Sequence, residues 1–493
     1  MTRGRDGVGG PAAEQHVSAD HSEQQHGSAD HTRQRGPSAR TRQRALLAAV
    51  LAAIVVFSTA IYVGVASDDG RNSRSALSEG RIQRNSAAPA STGTWVGAWS
   101  ASPAGGEPGT EITGMAGRSV RNVVHANVGG TSARVTLSNL HGQSPLTITH
   151  ASIALAAGSD TPAAEAETMR RLTFDGGPTA VIPPGQQILS DAVRIAVPHD
   201  SDVLITTYSP AGSGPVTYHP HARQMSYVAQ GDRTEDVSPA AYTERAEAWR
   251  YLTALDVLSR ESDGTVVVFG DSLTDGNRST VGANARWTDV LADRLRGAIE
   301  SGRDVPRYSV VNQGISGNRI LSDGRGLPHA RIRSRGGTPV ADNPSGLSRF
   351  PRDVLDRANV KVVVIALGVN DILRTPSITG PDRILTGLRT LVDQAHARGL
   401  KVVGATLMPF HGRRGYTDVR ESVRQRINAE IRAGRVFDAV ADFDKALRDP
   451  YAPRRLRADH DSGDHLHPSD KGYAQMANSF GLDTLKGAAP AEL

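Results

Sequence analysis

From residue 264 to its end, the chain alternates short apolar runs with amphipathic stretches. The runs are rich in Val, Ile and Leu and predict buried strands at residues 265–269, 308–312, 360–367, 401–407 and 436–440. Between and after them, apolar residues recur with a helical period and predict helices at residues 287–299, 348–357, 383–398, 418–433 and 470–485. Because strands that alternate with helices form parallel sheets covered on both faces, residues 264–493 are predicted to be an α/β domain, a three-layer sandwich.

Residues 94–263 have a different pattern, in which apolar and polar side chains alternate over short segments. This alternation occurs at residues 134–138, 146–149 and 193–197, and clusters of Gly and Pro separate the segments. Many short strands with regular breaks predict a β-rich domain of the sandwich or jelly-roll kind. Trp95 and Trp99 at its start suit either a hydrophobic core or a platform for stacking sugars, and both interpretations stay open.

The first 93 residues contain one apolar segment between two polar ones. Residues 1–44 are Gly-, Ser-, Gln- and Arg-rich and are predicted to be a disordered basic tail. Residues 45–66 carry no charge over 22 positions, and as a helix they would extend about 33 Å, enough for a hydrocarbon core of about 30 Å. Residues 67–93 lack periodicity and are predicted to be a linker.

The apolar segment 45–66 has two interpretations. Arginines are more numerous before it than after it, which favours a transmembrane helix with a cytoplasmic N-terminus and the later domains outside the cytoplasm. Small residues ending at Ala66 instead suit a signal peptide that is cleaved near that residue. We therefore expect a single-pass protein of the cell membrane, or a secreted protein if the segment is cleaved.

Charge and cysteine content narrow the classes of partner and site. The net charge is +5, and the basic residues are mostly Arg scattered along the chain with few aromatic neighbours, so we expect no nucleic-acid partner. The chain has no Cys, which excludes disulfides and Cys-ligated zinc. The run 459–467 is rich in Asp and His but matches neither a full calcium pattern nor a full zinc pattern, and we expect no metal and no organic cofactor.

The residues required for acyl transfer are a nucleophile, a base, a group that orients the base, and donors for the oxyanion. Ser272 follows the predicted strand 265–269, at the edge where open α/β sheets hold their active sites. His467 is the predicted base, and Asp464 three residues earlier can reach its Nδ1 and leave Nε2 free to face the serine. His465 is the alternative base, although the adjacent Asp464 is badly placed to orient it.

Two further loops follow predicted strands and offer hydrogen-bond donors. Asn370 follows the strand 360–367, and its side-chain amide can face a developing oxyanion. Gly314 follows the strand 308–312, and a glycine lets its backbone N–H approach a ligand closely. Each loop taken alone is also typical of an ordinary turn.

In their order along the chain, these four loops resemble the sequence blocks of the SGNH (GDSL) hydrolase family of esterases and lipases. Gly270–Asp271–Ser272–Leu273 is similar to the first block, Gly314 to the second, Gly368–Val369–Asn370–Asp371 to the third, and Asp464 with Leu466 and His467 to the last. The resemblance covers roughly residues 265–485. It implies a flavodoxin-like sheet of about five parallel strands.

The resemblance also implies a role for each candidate residue. Ser272 is the implied nucleophile, His467 the base and Asp464 the group that orients it. The implied oxyanion hole consists of the Ser272 N–H, the Gly314 N–H and the Asn370 side chain. The region 94–263 looks like the extra β-rich part of a subgroup of this family.

Three functions are compatible with these features. The first is an extracytoplasmic serine esterase that removes acetyl or other acyl groups from carbohydrates, with the β-rich region holding the polymer. The second is a lipase or lysophospholipase that acts on lipid esters near the membrane. The third is a non-catalytic glycan-binding or adhesion protein, against which the complete set of candidate catalytic residues argues.

Overall fold

The computed structural model describes residues 93–324, 342–374 and 380–487. The predicted tail 1–44, the apolar segment 45–66 and all of the predicted linker 67–93 except Gly93 lie outside the described residues. Within the described ranges, no helix is both long enough and apolar enough to span a bilayer.

The first part of the described chain, up to Ser259, consists mainly of β-strands. They are β1 (Thr94–Ser100), β2 (Gly105–Gly106), β3 (Arg118–Ala126), β4 (Gly130–Ser138), β5 (Leu146–Ile148), β6 (His150–Leu155), β7 (Arg170–Arg171), β8 (Ala180–Ile182), β9 (Gln187–Leu189), β10 (Val193–Val197), β11 (Ser201–Ser209), β12 (Thr217–Pro220), β13 (Ser226–Gln230), β14 (Glu244–Ala246), β15 (Ala248–Arg250) and β16 (Leu252–Ser259). Single turns of 3-10 helix occur at Ala166–Thr168 and Pro239–Ala241.

Antiparallel pairing organises this β-rich region. One sheet has the order β1-β16-β4-β10, with β9 also paired to β4, and a second has the order β14-β13-β3-β11-β6-β7. Apolar side chains of both sheets meet in one core, among them Val96 of β1, Val124 of β3, Val135 of β4 and Ile205 of β11. The two sheets therefore bury their apolar faces together, as in a β-sandwich.

From Gly264 onward, strands alternate with helices. The strands are β17 (Gly264–Gly270), β18 (Tyr308–Gly314), β19 (Val360–Ala366), β20 (Lys401–Ala405) and β21 (Ala439–Ala441). The helices are α1 (Ser272–Asp275), α2 (Trp287–Glu300), α3 (Gly346–Phe350), α4 (Val369–Leu373), α5 (Pro381–His396), α6 (Asp418–Arg432), α7 (Phe443–Leu447) and α8 (Asp470–Ser479). These strands form a parallel five-stranded sheet in the order β18-β17-β19-β20-β21, which confirms the predicted α/β class.

Two predicted helices are shorter than expected. The predicted helix 348–357 is α3 followed by a π-helical turn, Pro351–Leu355, because a proline inside a helix removes a backbone donor. The predicted helix 470–485 ends at Ser479, and a separate 3-10 turn, Leu482–Leu485, follows. A glycine lies between these two elements, and glycine is a poor residue for a helix interior.

The predicted strand 436–440 is also shorter and begins only at Ala439. Phe437 packs instead against the neighbouring strand β20, where a Cβ added to Gly404 would lie 1.7 Å from the phenyl ring. The apolar run therefore contains a core side chain before the strand begins, which periodicity alone does not distinguish from strand.

The β-rich region packs directly on the parallel sheet, with β1 next to β17 and β18. The N–H of Gly97 donates to Thr265 Oγ1 at 3.1 Å, and a Cβ at Gly97 would lie 2.9 Å from Val311 Cγ1. Asn127 Nδ2 donates to the carbonyl oxygens of Ala98 and Val310, both at 2.6 Å. The close approach of these backbones depends on the missing side chain of Gly97.

Trp95 and Trp99, for which two roles were open, differ in their surroundings. Trp99 is buried and packs edge-on against Trp249, with ring centroids 4.8 Å apart. Trp95 is half-buried, and the guanidinium of Arg134 lies 4.5 Å from its ring centroid. Trp99 is therefore a core residue, and one face of Trp95 is covered by a cation.

Candidate active site

The turn after β17 presents Ser272. Gly270 ends the strand, and a Cβ there would lie 2.1 Å from Thr274 Oγ1, so only glycine fits. Asp271 caps α1 by accepting a hydrogen bond from the N–H of Leu273 at 3.0 Å. Ser272 is the first residue of this short helix and is only 4% exposed.

The imidazole of His467 lies between the side chains of Ser272 and Asp464. The hydroxyl of Ser272 lies 2.9 Å from His467 Nε2, and His467 Nδ1 lies 2.6 Å from Asp464 Oδ2. With Nδ1–H donating to the carboxylate, Nε2 is left to accept the serine proton. The structure thus brings together residues that are 195 positions apart.

Asp464 is held in place by backbone as well as side-chain donors. Its Oδ1 accepts hydrogen bonds from the N–H groups of Leu466 and His467, at 3.0 and 2.8 Å. Burial raises the pKa of Asp464, but the hydrogen bonds from His467 outweigh burial and hold that pKa well below its usual range. Asp464 therefore remains an anion that fixes the imidazole.

His465, the alternative base, is directed elsewhere. Its Nδ1 lies 2.7 Å from Asp461 Oδ2, and its side chain is 51% exposed. Among the described residues, no group of three or more His, Asp or Glu side chains is arranged to hold a metal ion.

Asn370 is the second residue of α4, which begins directly after Gly368, and the φ of 128° at Gly368 is a conformation that favours glycine. Its Oδ1 accepts a hydrogen bond from Arg374 Nε at 3.2 Å, which fixes the orientation of the amide. Its Nδ2 is buried and has no hydrogen-bond partner. Asn370 therefore has a side-chain donor that no described residue uses.

Gly314 does not offer the donor that the sequence predicts. Its N–H donates to Asn312 Oδ1 at 2.8 Å and is therefore already occupied. The missing side chain has a packing role, because a Cβ at Gly314 would lie 2.3 Å from the backbone nitrogen of Asp275. The expectation of an oxyanion donor at Gly314 is corrected on this ground.

Gly317, three residues later, has the properties expected of that donor. It lies in the turn closed by the bond from the N–H of Asn318 to the carbonyl of Ile315, with a φ of 78°. A Cβ there would lie 2.1 Å from the guanidinium of Arg374, the group that orients Asn370. Its N–H has no acceptor among the described residues. The sequence signal that was missed is this second glycine of Gly314–Ile315–Ser316–Gly317.

A buried histidine of the β-rich region supports this turn. His219 Nε2 lies 2.9 Å from Asp275 Oδ1, and His219 Nδ1 lies 2.8 Å from the carbonyl oxygen of Ser102. The other oxygen of Asp275 accepts a hydrogen bond from the N–H of Ser316 at 2.9 Å. This series of hydrogen bonds, from Ser102 through His219 and Asp275 to Ser316, therefore connects the β-rich region to the residue before Gly317.

Arg349 makes a second connection. Its Nη2 donates to the carbonyl of Gly270 at 2.8 Å, and its Nη1 donates to the carbonyl of Gln313 and to Ser102 Oγ, both at 2.9 Å. Burial lowers the pKa of Arg349 to about 10, and Asp353 opposes that effect from 3.1 Å. The guanidinium thereby fixes the ends of the strands that precede Ser272 and Gly317.

Comparison with known proteins relates the α/β domain to a known family. Residues 268–475 match the family model described as GDSL-like lipase/acylhydrolase. No curated protein matches the sequence. The chain is similar to Est24, a carbohydrate acetylesterase from Sinorhizobium meliloti, at 17% identity over 44% of this chain and 96% of that chain, with a TM-score of 0.32. It is also similar to the native aryl esterase of M. smegmatis, at 19% identity over 44% of this chain and 95% of that chain, with a TM-score of 0.32.

The parallel sheet and the family match define an α/β ester hydrolase. Residues 268–475 belong to the GDSL-like lipase/acylhydrolase family, as the four sequence blocks predicted. The family match extends over the loops that carry Ser272, Asn370 and His467 and excludes the β-rich region.

Proposed function

We propose that the chain is a serine esterase in which Ser272, His467 and Asp464 form the catalytic triad. The observation that carries this proposal is the imidazole of His467, which lies within hydrogen-bond distance of both Ser272 Oγ and Asp464 Oδ2. Nucleophile, base and orienting carboxylate are thus linked in the order that acyl transfer requires.

The first half of the reaction forms an acyl-enzyme. His467 Nε2 takes the proton of Ser272 as Oγ attacks the carbonyl carbon of the ester, and Asp464 stabilises the imidazolium. The oxyanion accepts hydrogen bonds from the N–H groups of Ser272 and Gly317 and from Asn370 Nδ2. When the C–O bond to the alcohol breaks, His467 returns the proton to the leaving oxygen.

The second half releases the acid. A water molecule gives its proton to His467 Nε2 and attacks the acyl carbon, and the same three donors hold the second oxyanion. Collapse of this intermediate breaks the bond to Ser272 Oγ, which regains its proton from His467. The residues used complete the cycle without a metal or an organic cofactor.

Substitution of the nucleophile tests the proposal. Ser272→Ala should lower kcat for a simple aryl ester by a factor of about 10⁴–10⁶. It should also abolish labelling by a fluorophosphonate probe. Ser301→Ala is the matched control, since Ser301 follows α2 at the opposite edge of the sheet and is exposed. Ester hydrolysis by Ser272→Ala at the wild-type rate would contradict the assignment.

For the substrate, we propose an acylated carbohydrate rather than a long-chain lipid. The large apolar side chains that are exposed on the described residues are Ile112, Val181, Leu189, Val237, Val419 and Tyr451. None of them lies on the described parts of the loops that carry Ser272, Asn370 or His467, so these parts expose no large apolar side chain to a long acyl chain. Release of acetate from an acetylated polysaccharide should exceed hydrolysis of medium-chain aryl esters. The opposite preference would favour the lipase alternative.

We also propose, from the sequence alone, that the hydrolase works outside the cytoplasm, attached through residues 45–66 or released after cleavage near Ala66. Protease added to intact cells should degrade the catalytic domain, or the domain should appear in the medium. Protection from protease together with absence from the medium would contradict this proposal.

A further inference from the structure

Arginines from separate loops surround the proposed catalytic residues. Arg278 follows α1, Arg319 follows β18, Arg374 follows α4, and Arg413 lies between β20 and α6. Because these loops follow the carboxyl ends of parallel strands or the turns after them, they lie at the edge that carries Ser272. The positive charges are therefore gathered at the active-site edge of the sheet.

Contacts tie these arginines to the site. Arg413 Nη1 lies 3.5 Å from Asp464 Oδ2, and Arg278 Nε lies 4.0 Å from the same oxygen. Arg374 Nε lies 3.2 Å from Asn370 Oδ1. Arg413, Arg278 and Arg374 thus each contact a residue of the proposed catalytic machinery, and the charge of Arg319 acts on Arg374.

Neither Arg319 nor Arg374 forms an ion pair with a carboxylate among the described residues, although the charge of Asp371 acts on Arg319 and that of Asp271 acts on Arg374. Arg319 is 6% exposed, and its Nη1 is buried without a hydrogen-bond partner, while its Nη2 donates to the carbonyl of Asp323. Burial, and then the charge of Arg319, lower the pKa of Arg374. A buried, unpaired guanidinium nitrogen next to a like charge is costly unless an anion compensates it.

The rest of the sequence does not supply that anion from the adjoining segments. Residues 325–341 contain four arginines and no Asp or Glu, and residues 375–379 contain no charged residue. Three acidic groups lie at the site. Asp464 holds His467, and Asp371 accepts hydrogen bonds from the N–H groups of Ile320 and Leu321. Asp271 acts on Arg374, but burial raises the pKa of Asp271 to about 7, so this carboxyl group carries less than a full negative charge near neutral pH. Positive charge at this edge is therefore in excess.

We infer that the esterase acts on esters that carry a negative charge, such as a carboxylate or phosphate group close to the scissile bond, and that Arg319 and Arg374 bind this group. The inference rests on the proposed function and names its substrate class. An acylated acidic saccharide has this chemistry on the alcohol side of the ester, and a dicarboxylic half-ester has it on the acyl side. Guanidinium groups are suited to both, since they bind carboxylate and phosphate oxygens through paired N–H donors.

Two matched pairs of substrates distinguish the two sides. For the acyl side, mono-para-nitrophenyl adipate is compared with para-nitrophenyl hexanoate. For the alcohol side, para-acetoxybenzoate is compared with its methyl ester. The quantity measured on the full chain is the ratio of kcat/KM for the anionic ester to kcat/KM for the neutral one. We expect this ratio to exceed one in at least one pair and to fall when salt is raised from about 0.05 M to about 0.5 M.

Substitutions then test which arginines cause the preference for anionic esters. Arg319→Gln should lower the ratio about 10-fold, the effect of one charge-assisted hydrogen bond, and Arg319→Lys should restore part of it. Arg413→Gln should also lower the ratio, because it removes a positive charge from the same edge of the sheet. Since Arg413 is half-exposed, this substitution does not disturb a buried side chain. Arg398→Gln is the control, since Arg398 precedes β20 at the opposite edge of the sheet and should leave the ratio unchanged.

The outcomes separate this inference from the proposed function. Wild-type ratios of one or below in both pairs, or ratios unchanged in both Arg319→Gln and Arg413→Gln, overturn the inference alone, provided that Ser272→Ala is inactive. Neutral-ester hydrolysis that persists in Ser272→Ala overturns the proposed function itself.

Discussion

Replacement of His219 by Ala should weaken both folding and catalysis, because its imidazole connects the β-rich region to the nucleophile turn. Both ring nitrogens face oxygen acceptors, Nδ1 at 2.8 Å from the carbonyl of Ser102 and Nε2 at 2.9 Å from Asp275 Oδ1. The imidazole therefore links the carbonyl of Ser102 to the carboxyl group of Asp275. His219 and Asp275 are each only 4% exposed.

The size of the loss in stability depends on the hydrogen bonds that Asp275 retains in the variant. Loss of one hydrogen-bond partner from a buried polar group costs about 1–3 kcal/mol of folding free energy, and more where the group is charged. Asp275 retains hydrogen bonds from the N–H and the hydroxyl of Ser316, and a cavity of about 180 Å³ beside the pair can admit water to the bare carboxylate. We therefore expect the free energy of unfolding to fall by about 2–3 kcal/mol in His219→Ala.

The variant should also be less active, because Asp275 supports the turn that contains Gly317. When Asp275 loses its hydrogen bond to His219, Ser316 and the neighbouring Gly317 N–H lose their fixed position. Because that N–H is proposed to bind only the oxyanion, kcat should fall about 10- to 100-fold while KM changes little. A fall in stability without a change in kcat at a temperature where the variant is folded would refute the proposed link to the active site.

The assay is a double-mutant cycle read by urea unfolding and by steady-state kinetics. His219→Ala, Asp275→Asn and the double variant should show a coupling energy above about 1 kcal/mol, and additivity within about 0.5 kcal/mol would refute the pairing. His396→Ala is the control, since His396 lies 3.0 Å from Asp438 in a comparable pair at the opposite edge of the sheet. This control should lower stability modestly and leave kcat unchanged.

Three further predictions concern the site itself. Asn370→Ala should lower kcat about 10²- to 10³-fold with little change in KM, measured on a neutral aryl ester, and a wild-type kcat would exclude its amide as an oxyanion donor. Gly317→Ala should also lower kcat, since a Cβ would lie 2.1 Å from the Arg374 guanidinium and the φ of 78° strains any residue with a side chain; an unchanged kcat would argue against the assignment of this turn. Burial raises the pKa of Asp271 to about 7. The folded chain therefore keeps a proton that the unfolded chain releases near pH 4. The contribution of Asp271 to the free energy of unfolding is consequently lost as the pH rises from about 4 to about 7. Urea unfolding at both ends of that range should show wild type losing stability relative to Asp271→Asn as the pH rises, and a constant difference would contradict the raised pKa.

Local signals were sufficient for the elements of the hydrolase domain. The apolar run before Ser272 and the helical period of residues 418–433 are properties of neighbouring residues, and the structure has a strand and a helix there. Asp464 and His467 could also be paired from the sequence, because a separation of three residues keeps a carboxylate and an imidazole within reach. A distant packing partner decided the conformation only at the last strand, where Phe437 packs over Gly404, whereas the two helix errors lie at a local proline and a local glycine.

The sequence by itself determined the class of fold, the order of the catalytic loops and the identity of Ser272, Asn370 and His467 as candidates, because each depends on residues close in the chain. Only the tertiary structure decided which glycine has a free N–H, since Gly314 is occupied by Asn312 and Gly317 has no acceptor among the described residues. It also decided that Ser102 and His219 support the nucleophile turn, a role without any local pattern. The physical reason is that hydrogen-bond partners far apart in sequence become neighbours only when the two β-rich sheets and the parallel sheet pack together.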